Sequence, residues 1–210
     1  MNTARKKRKI EKRRQEILST AKQLFLNSSY LDVTMDEIAE AADMSKATIY
    51  SYFENKLEIY SAITLADAEA LVVSLQTSVS ERASTRENLG ALAKAYITFF
   101  FNHPEYFEKL SWFYFPGREK HLSRAQIQAV GEKFEAARDV IAKCLNQGIK
   151  RGELRAMDVK TAAVTIYSQW LGLVYLAIAG GNTKRKVFLD IDKAIEFAGD
   201  MQIAGLMKRA

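Results

Sequence analysis

An all-α chain in two parts is what this sequence predicts, on three observations. Apolar residues recur at helical spacing along most of the 210 residues, and no sustained alternation of the kind a half-buried strand needs is present. Proline is limited to Pro104 and Pro116, and glycine falls mostly at apparent helix ends such as Gly152 and Gly180-Gly181. Positive charge is gathered at one end. Residues 1–14 carry Arg5, Lys6, Lys7, Arg8, Lys9, Lys12, Arg13 and Arg14 against the acid Glu11, so the formal net charge of +6 is local and the rest of the chain is close to neutral.

The elements follow in order. Residues 1–9 are expected to form a basic, flexible arm, of the kind that can order against a DNA minor groove. They lack the apolar core of a secretory signal. Ile10, Arg14, Ile17, Leu18, Ala21, Leu24 and Phe25 then make an amphipathic stripe that stops at Asn27-Ser28-Ser29-Tyr30. Thr34-Met35-Asp36-Glu37 fits a capping box, and Met35, Ile38, Ala39 and Ala42 continue at helical spacing. Asp43-Met44 breaks the pattern, at a position needing a residue that tolerates the left-handed conformation. Ser45 is a good N-cap for a helix from Lys46 to Phe53, with Ile49 and Phe53 facing inward and Lys46, Thr48 and Tyr50 outward. Asn55-Lys56-Leu57-Glu58 opens the next helix.

Two short helices and a tight turn beside a basic segment suit duplex DNA. The major groove admits one α-helix, and base-reading residues sit near its N-terminus. Small residues such as Ala39, Ala41, Ala42 and Ala47 let the two helices cross closely. An ordinary helical hairpin would satisfy the same pattern, and the neighbouring charge is what favours DNA.

The run Ile17…Ala21…Leu24-Phe25…Thr34…Ile38-Ala39…Ala42…Ser45-Lys46…Thr48-Ile49-Tyr50…Tyr52-Phe53…Asn55-Lys56 resembles the N-terminal DNA-binding domain of the TetR family of bacterial transcriptional regulators. The likeness covers roughly residues 10–60. It departs at Asp43, where the family usually has Gly, and at Ala47, where Gly is frequent. The resemblance implies a helix-turn-helix domain over 10–55 and a larger helical ligand-binding and dimerisation domain over 56–210. It implies a homodimer on a palindromic operator in double-stranded DNA, acting as a repressor, less often an activator, released by a small ligand; the residues themselves suggest no cofactor and no metal. Carried over by position, Thr34 would bond a phosphate, Ser45 would cap, and Lys46 and Thr48 would meet base edges. Ala47 would touch a thymine methyl, Tyr50 and Tyr52 would bond phosphates, and Lys56 would contact phosphate at the next helix start. For Tyr52, partial core packing is the competing role. Arg5, Lys6, Lys7, Arg8 and Lys9 would add phosphate contacts.

The remaining residues read more coarsely, with helices expected over roughly 55–80, 85–102, 104–115, 122–151, 158–179 and 187–207. Aromatic residues crowd the middle. They are either a bundle core or the wall of a pocket for a hydrophobic or aromatic ligand, with Tyr96, Phe99, Phe100, Phe107, Trp112, Phe113, Tyr167 and Trp170 as the candidate lining. His103 suits a helix cap and His121 an exposed loop. The last two helices are apolar on several faces, which suggests a dimer interface at Ile166, Trp170, Val174, Ala177, Ile191, Ile195 and Ala198. Thr161, Thr165, Ser168 and Gln169 interrupt the run 161–181, so no membrane span is expected.

Enzyme classes lack their motifs. A single cysteine, Cys144, allows no internal disulfide and fits a reducing cytoplasm. There is no zinc spacing, phosphate loop or nucleophile elbow. Two function classes stay open. One is a cytoplasmic ligand-responsive regulator. The other is a DNA-bound structural or interaction protein that recruits a protein partner without a small-molecule switch.

Overall fold

The computed structural model describes residues 2–103, 105–106, 123–182 and 191–207. Among them lie eight α-helices and no strand: α1 Asn2–Asn27, α2 Met35–Ala41, α3 Lys46–Tyr52, α4 Lys56–Ser78, α5 Thr85–Asn102, α6 Arg124–Lys150, α7 Val159–Asn182 and α8 Ile191–Leu206. The fold is all-α. The helix expected over 104–115, and with it Phe107, Trp112 and Phe113, lies outside the described residues, apart from 105 and 106, which are helical. His121 also falls outside them. The chain divides into two compact units, one of Met1–Asp67 with Lys109–Gln128, the other of Ala68–Glu108 with Ala129–Ala210.

In the first unit, α1 begins at Asn2, so residues 2–9 are helical rather than a flexible arm. The segment holds no Gly or Pro, and Lys and Arg are good helix formers. Side-chain pairs one turn apart add to this further along, Gln15 to Glu11 at 2.8 Å and Arg13 to Glu16 at 3.0 Å. The stripe on α1 buries Ile17, Leu18, Ala21 and Phe25, while Ile10 stays exposed. These residues meet Ile38 and Ala39 of α2, Ile49 of α3, and Phe53. The core then extends past the three helices expected, because Ile59, Tyr60 and Ile63 of α4 join it. Tyr60 meets Phe25 edge-on at 5.2 Å. The Lys22 ammonium donates to the nearly buried Asp67 carboxylate at 2.6 Å, fixing α4 against α1.

The second unit is built around α5, α6, α7 and α8. Ser84 and Glu87 form a capping box that starts α5, with the Ser84 N–H donating to Glu87 at 2.8 Å. Asp158 caps α7 by accepting from the N–H groups of Lys160 and Thr161. The core is aromatic. Tyr96 lies 4.9 Å from Phe100, 5.3 Å from Tyr167 and 5.7 Å from Trp170 between ring centres. Tyr96, Phe99, Phe100, Tyr167 and Trp170 are all buried. His103 is the C-cap of α5, its N–H donating to Phe99.

The expected dimer residues differ in exposure. Ile166, Trp170, Val174 and Ala198 are buried inside the unit, Ala177 and Ile195 are half-buried, and the Ile191 side chain lies outside the described residues. The exposed apolar residues of these two helices are instead Val164, Tyr175, Leu176, Phe197 and Met201. Helical periodicity marks an apolar face but does not say whether that face meets the protein's own core or a partner. Val159–Ile178 is, among the described residues, the helix long and apolar enough to cross a membrane. Its Gln169 accepts a hydrogen bond from Gln202 of α8 at 2.5 Å, and its inner face packs with the core just described.

Candidate nucleic-acid interface

The reader is assembled by local hydrogen bonds. Thr34 caps α2: its hydroxyl accepts from the Glu37 N–H at 3.2 Å, and the Glu37 carboxylate accepts from the Thr34 N–H at 2.7 Å and hydroxyl at 2.9 Å. At the other end, Asp43 has φ 51°. Its N–H donates to Glu40 at 3.1 Å, and the Met44 N–H donates to Ala39 at 3.0 Å. This is the paired closure of a Schellman end, with an aspartate in the place where glycine is usual. Ser45 then caps α3, accepting from the Thr48 N–H at 3.2 Å and sharing a 2.8 Å hydrogen bond with its hydroxyl. Asn55 caps α4 through the Glu58 N–H at 3.0 Å.

These caps fix which side of α3 is offered outward. Ile49 is fully buried and Phe53 nearly so, whereas Lys46, Ala47, Tyr50 and Ser51 are exposed. Tyr50 leaves 52% of its surface free, a large aromatic with no role in the core. Tyr52 takes the packing role considered for it. It packs partly against the reader core and also lines a groove of about 850 Å³ with Thr48 and with Lys6, Lys9, Ile10, Lys12, Arg13 and Glu16 of α1. The basic extension of α1 therefore shares a wall with the recognition helix. Lys12 and Arg13 belong to the basic segment read from the sequence but carry no assigned DNA contact there. Their place beside Thr48 depends on how α1 lies against α3, which no pattern along the chain supplies. Arg5, Lys7 and Arg8 are exposed on the same helix. Arg14 is held away from the groove role, its guanidinium 5.0 Å from the Phe53 ring centre.

Two expected phosphate contacts look different in place. The Lys56 ammonium donates to the carbonyls of Tyr30 at 2.6 Å, Leu31 at 3.3 Å and Val33 at 2.5 Å, and sits 4.4 Å from the Tyr30 ring centre. Lys56 thus ties the turn after α1, a structural role that the sequence did not announce. Burial pushes its pKa below the ordinary lysine value, against the opposing pull of Asp32 and Glu37. Thr34 is exposed, but both its donors are engaged by Glu37. An unexpected partner also appears: the Lys46 ammonium donates to the carboxylate of Asp36, in the first turn of α2. The sequence signal for it was an acid at the start of one helix and a lysine at the start of the next.

A family model described as bacterial regulatory proteins, tetR family, matches residues 17–63, the span that holds this core and the recognition helix. Over that span the chain is similar to the TetR family. The chain is 26% identical over 199 residues to the HTH-type transcriptional activator FasR of Mycolicibacterium smegmatis, covering 92% of this chain and 82% of FasR. Its fold superposes on a Rhodococcus sp. RHA1 protein of unknown function with a TM-score of 0.77 at 21% identity, covering 93% and 96% of the two chains. It also superposes on the ketosteroid transcriptional regulator KstR2 of Mycobacterium tuberculosis with a TM-score of 0.63 at 19% identity, covering 94% and 96%. DNA-binding regulation of transcription is thus the activity that the reader serves.

Proposed function

We propose that the regulator is a homodimeric repressor of a palindromic operator, released by a small hydrophobic ligand. The observation that carries the DNA half is the exposed face of α3 beside the groove lined by Lys6, Lys9, Lys12 and Arg13. Lys46, Ala47 and Thr48 lie in the first turn of α3, where side chains reach base edges. Tyr50 and the α1 cations would bind phosphates and hold the helix in register. For the dimer, Val164, Tyr175, Leu176, Phe197 and Met201 offer apolar surface on α7 and α8 that the chain's own core does not use. The ligand half is supported by the apolar, aromatic interior of the second unit and by the name of KstR2, a ketosteroid regulator. A hydrophobic molecule entering there would have to part rings already in contact. The name of FasR, an activator, favours a second reading in which the same reader recruits transcription rather than blocks it.

Footprinting on DNA flanking the regulator's own gene tests the DNA half. A two-fold symmetric protected site is expected, lost in the double variant Lys46→Ala, Tyr50→Ala while the dimer stays intact in sedimentation. Protection by that variant would show that α3 is not the reader. Titrating hydrophobic acids and sterols into the complex tests the ligand half, with release expected. A reporter that falls rather than rises on deletion of the regulator would replace repression with activation.

A further inference from the structure

We propose that Asp36 is a specificity-determining residue, holding Lys46 off the phosphate backbone so that the two together read a G·C base pair. The inference rests on the assignment of α3 as the recognition helix. Asp36 lies in the first turn of α2 and Lys46 opens α3, and their side chains pair across the helix-turn-helix. Both are well exposed, at 60% for Asp36 and 63% for Lys46. Ion pairs so open to water add little to stability, so folding gives no strong reason for this one. It lies on the surface that would face a polyanion, where an unpaired carboxylate is repelled.

The chemistry of the pair suits base edges better than backbone. A carboxylate is an acceptor only. Phosphates offer it nothing, whereas the major groove offers the N4 amine of cytosine. A lysine on a flexible stem, left alone, turns to the nearest phosphate, where contact carries no sequence information. Held by Asp36, the same ammonium has one N–H committed and two remaining, at the end of α3 where bases are read. Donor and acceptor then stand side by side. That pattern matches a G·C pair, with guanine O6 and N7 accepting from Lys46 and cytosine N4 donating to Asp36. Asp36 acts in part through Lys46 and is a positioning residue for it.

The test uses the full-length dimer on its footprinted operator, on a panel with each base pair of the half-site replaced in turn, and on unrelated duplex, over a salt series. Wild type is expected to prefer G·C at one position by about tenfold or more. Asp36→Asn and Asp36→Ala should flatten that preference and tighten binding to unrelated duplex. They should also steepen the salt dependence by about one phosphate contact per half-site, because Lys46 is released to the backbone. In a Lys46→Met background, Asp36→Asn should change neither quantity. An unchanged base preference and salt slope in Asp36→Asn overturns the proposal. So does an equal loss on every sequence with a lowered Tm, which marks Asp36 as a first-turn helix stabiliser alone. A preference lost at an A·T position overturns the G·C assignment. Wild type that protects no DNA at all would instead sink the assignment of α3, a result distinct from a wild type and an Asp36→Asn variant that discriminate alike.

Discussion

Two helix ends in this molecule share one hydrogen-bond pattern and solve it with different residues. In the reader, α2 is closed by Asp43 bonding to Glu40 at 3.1 Å and Met44 to Ala39 at 3.0 Å. In the second unit, α6 is closed by Gly152 bonding to Ile149 at 3.0 Å and Glu153 to Gly148 at 2.9 Å. The left-handed residue is Asp43 at φ 51° in one and Gly152 at φ 73° in the other. Their surroundings differ. The reader's turn is exposed at Asp43, and its bonds join residues no more than five apart. The corner after α6 is tied across the unit: the Thr85 N–H donates to Glu153 at 2.6 Å, and Arg151 donates to the Ala83 carbonyl at 2.7 Å. Within it, a Cβ on Gly148 would lie 2.5 Å from the Thr85 hydroxyl oxygen and 2.8 Å from the Leu154 side chain. A turn made of local bonds tolerates a poor residue at a modest cost. A corner where three segments converge leaves no room for a methyl group.

That contrast is most directly broken at Gly148. Gly148→Ala should destabilise the protein by about 2–3 kcal/mol, because Thr85 is itself buried and cannot withdraw without disturbing the start of α5. Denaturant unfolding checks it, and a loss under about 0.5 kcal/mol would show that the corner yields. In the reader the corresponding tie is Lys56. Lys56→Met keeps the stem but removes three hydrogen bonds from a charged donor, with an expected loss of about 2 kcal/mol. The salt slope of DNA binding should stay unchanged, whereas a phosphate-contacting lysine would alter it by about 0.9 per contact.

Asp43→Gly should act the other way. It relieves a left-handed L-residue and is expected to stabilise the reader by up to about 1 kcal/mol, read as a raised Tm. A lowered Tm would mean that the Asp43 side chain contributes something the turn geometry does not explain. The smallest effect is expected at Glu153. The Thr85 N–H and hydroxyl hold its carboxyl below the ordinary value of 4.5. A depressed folded pKa stabilises above the unfolded value, and the gain is lost as pH falls through the folded one. Glu153→Gln should therefore lower Tm slightly at neutral pH and flatten its fall in acid. An identical acid profile would remove Glu153 from the corner's electrostatics.

Legibility in the sequence tracked the same division. The caps at Thr34, Ser45 and Asn55, the inward Ile49 and Phe53, and the outward Lys46 and Tyr50 were all readable, because each depends on neighbours within one or two turns. Residues 2–9 were misjudged when charge was taken to mean flexibility; lysine and arginine are helix formers, and they continue α1. The structural role of Lys56 was hidden for a different reason. Its partners are the carbonyls of residues 30–33, more than twenty positions earlier, and no local pattern announces backbone acceptors. In the second unit, helix positions were legible while the use of their faces was not. Trp170 and Val174 turned inward, and Val164 and Tyr175 outward, on a helix apolar nearly all round.

What the sequence determined by itself was the helical period, the caps, the turn at Asp43 and the placing of positive charge at one end. These are short-range properties, set by backbone geometry and side-chain chemistry over a few residues. Tertiary structure alone decided that Lys12 and Arg13 share a groove with Thr48 and Tyr52, that Asp36 meets Lys46, and that the aromatic residues of α5 and α7 pack on one another. Each of those depends on where separate helices cross, and crossing is set by the sum of many weak contacts rather than by any residue pattern along the chain.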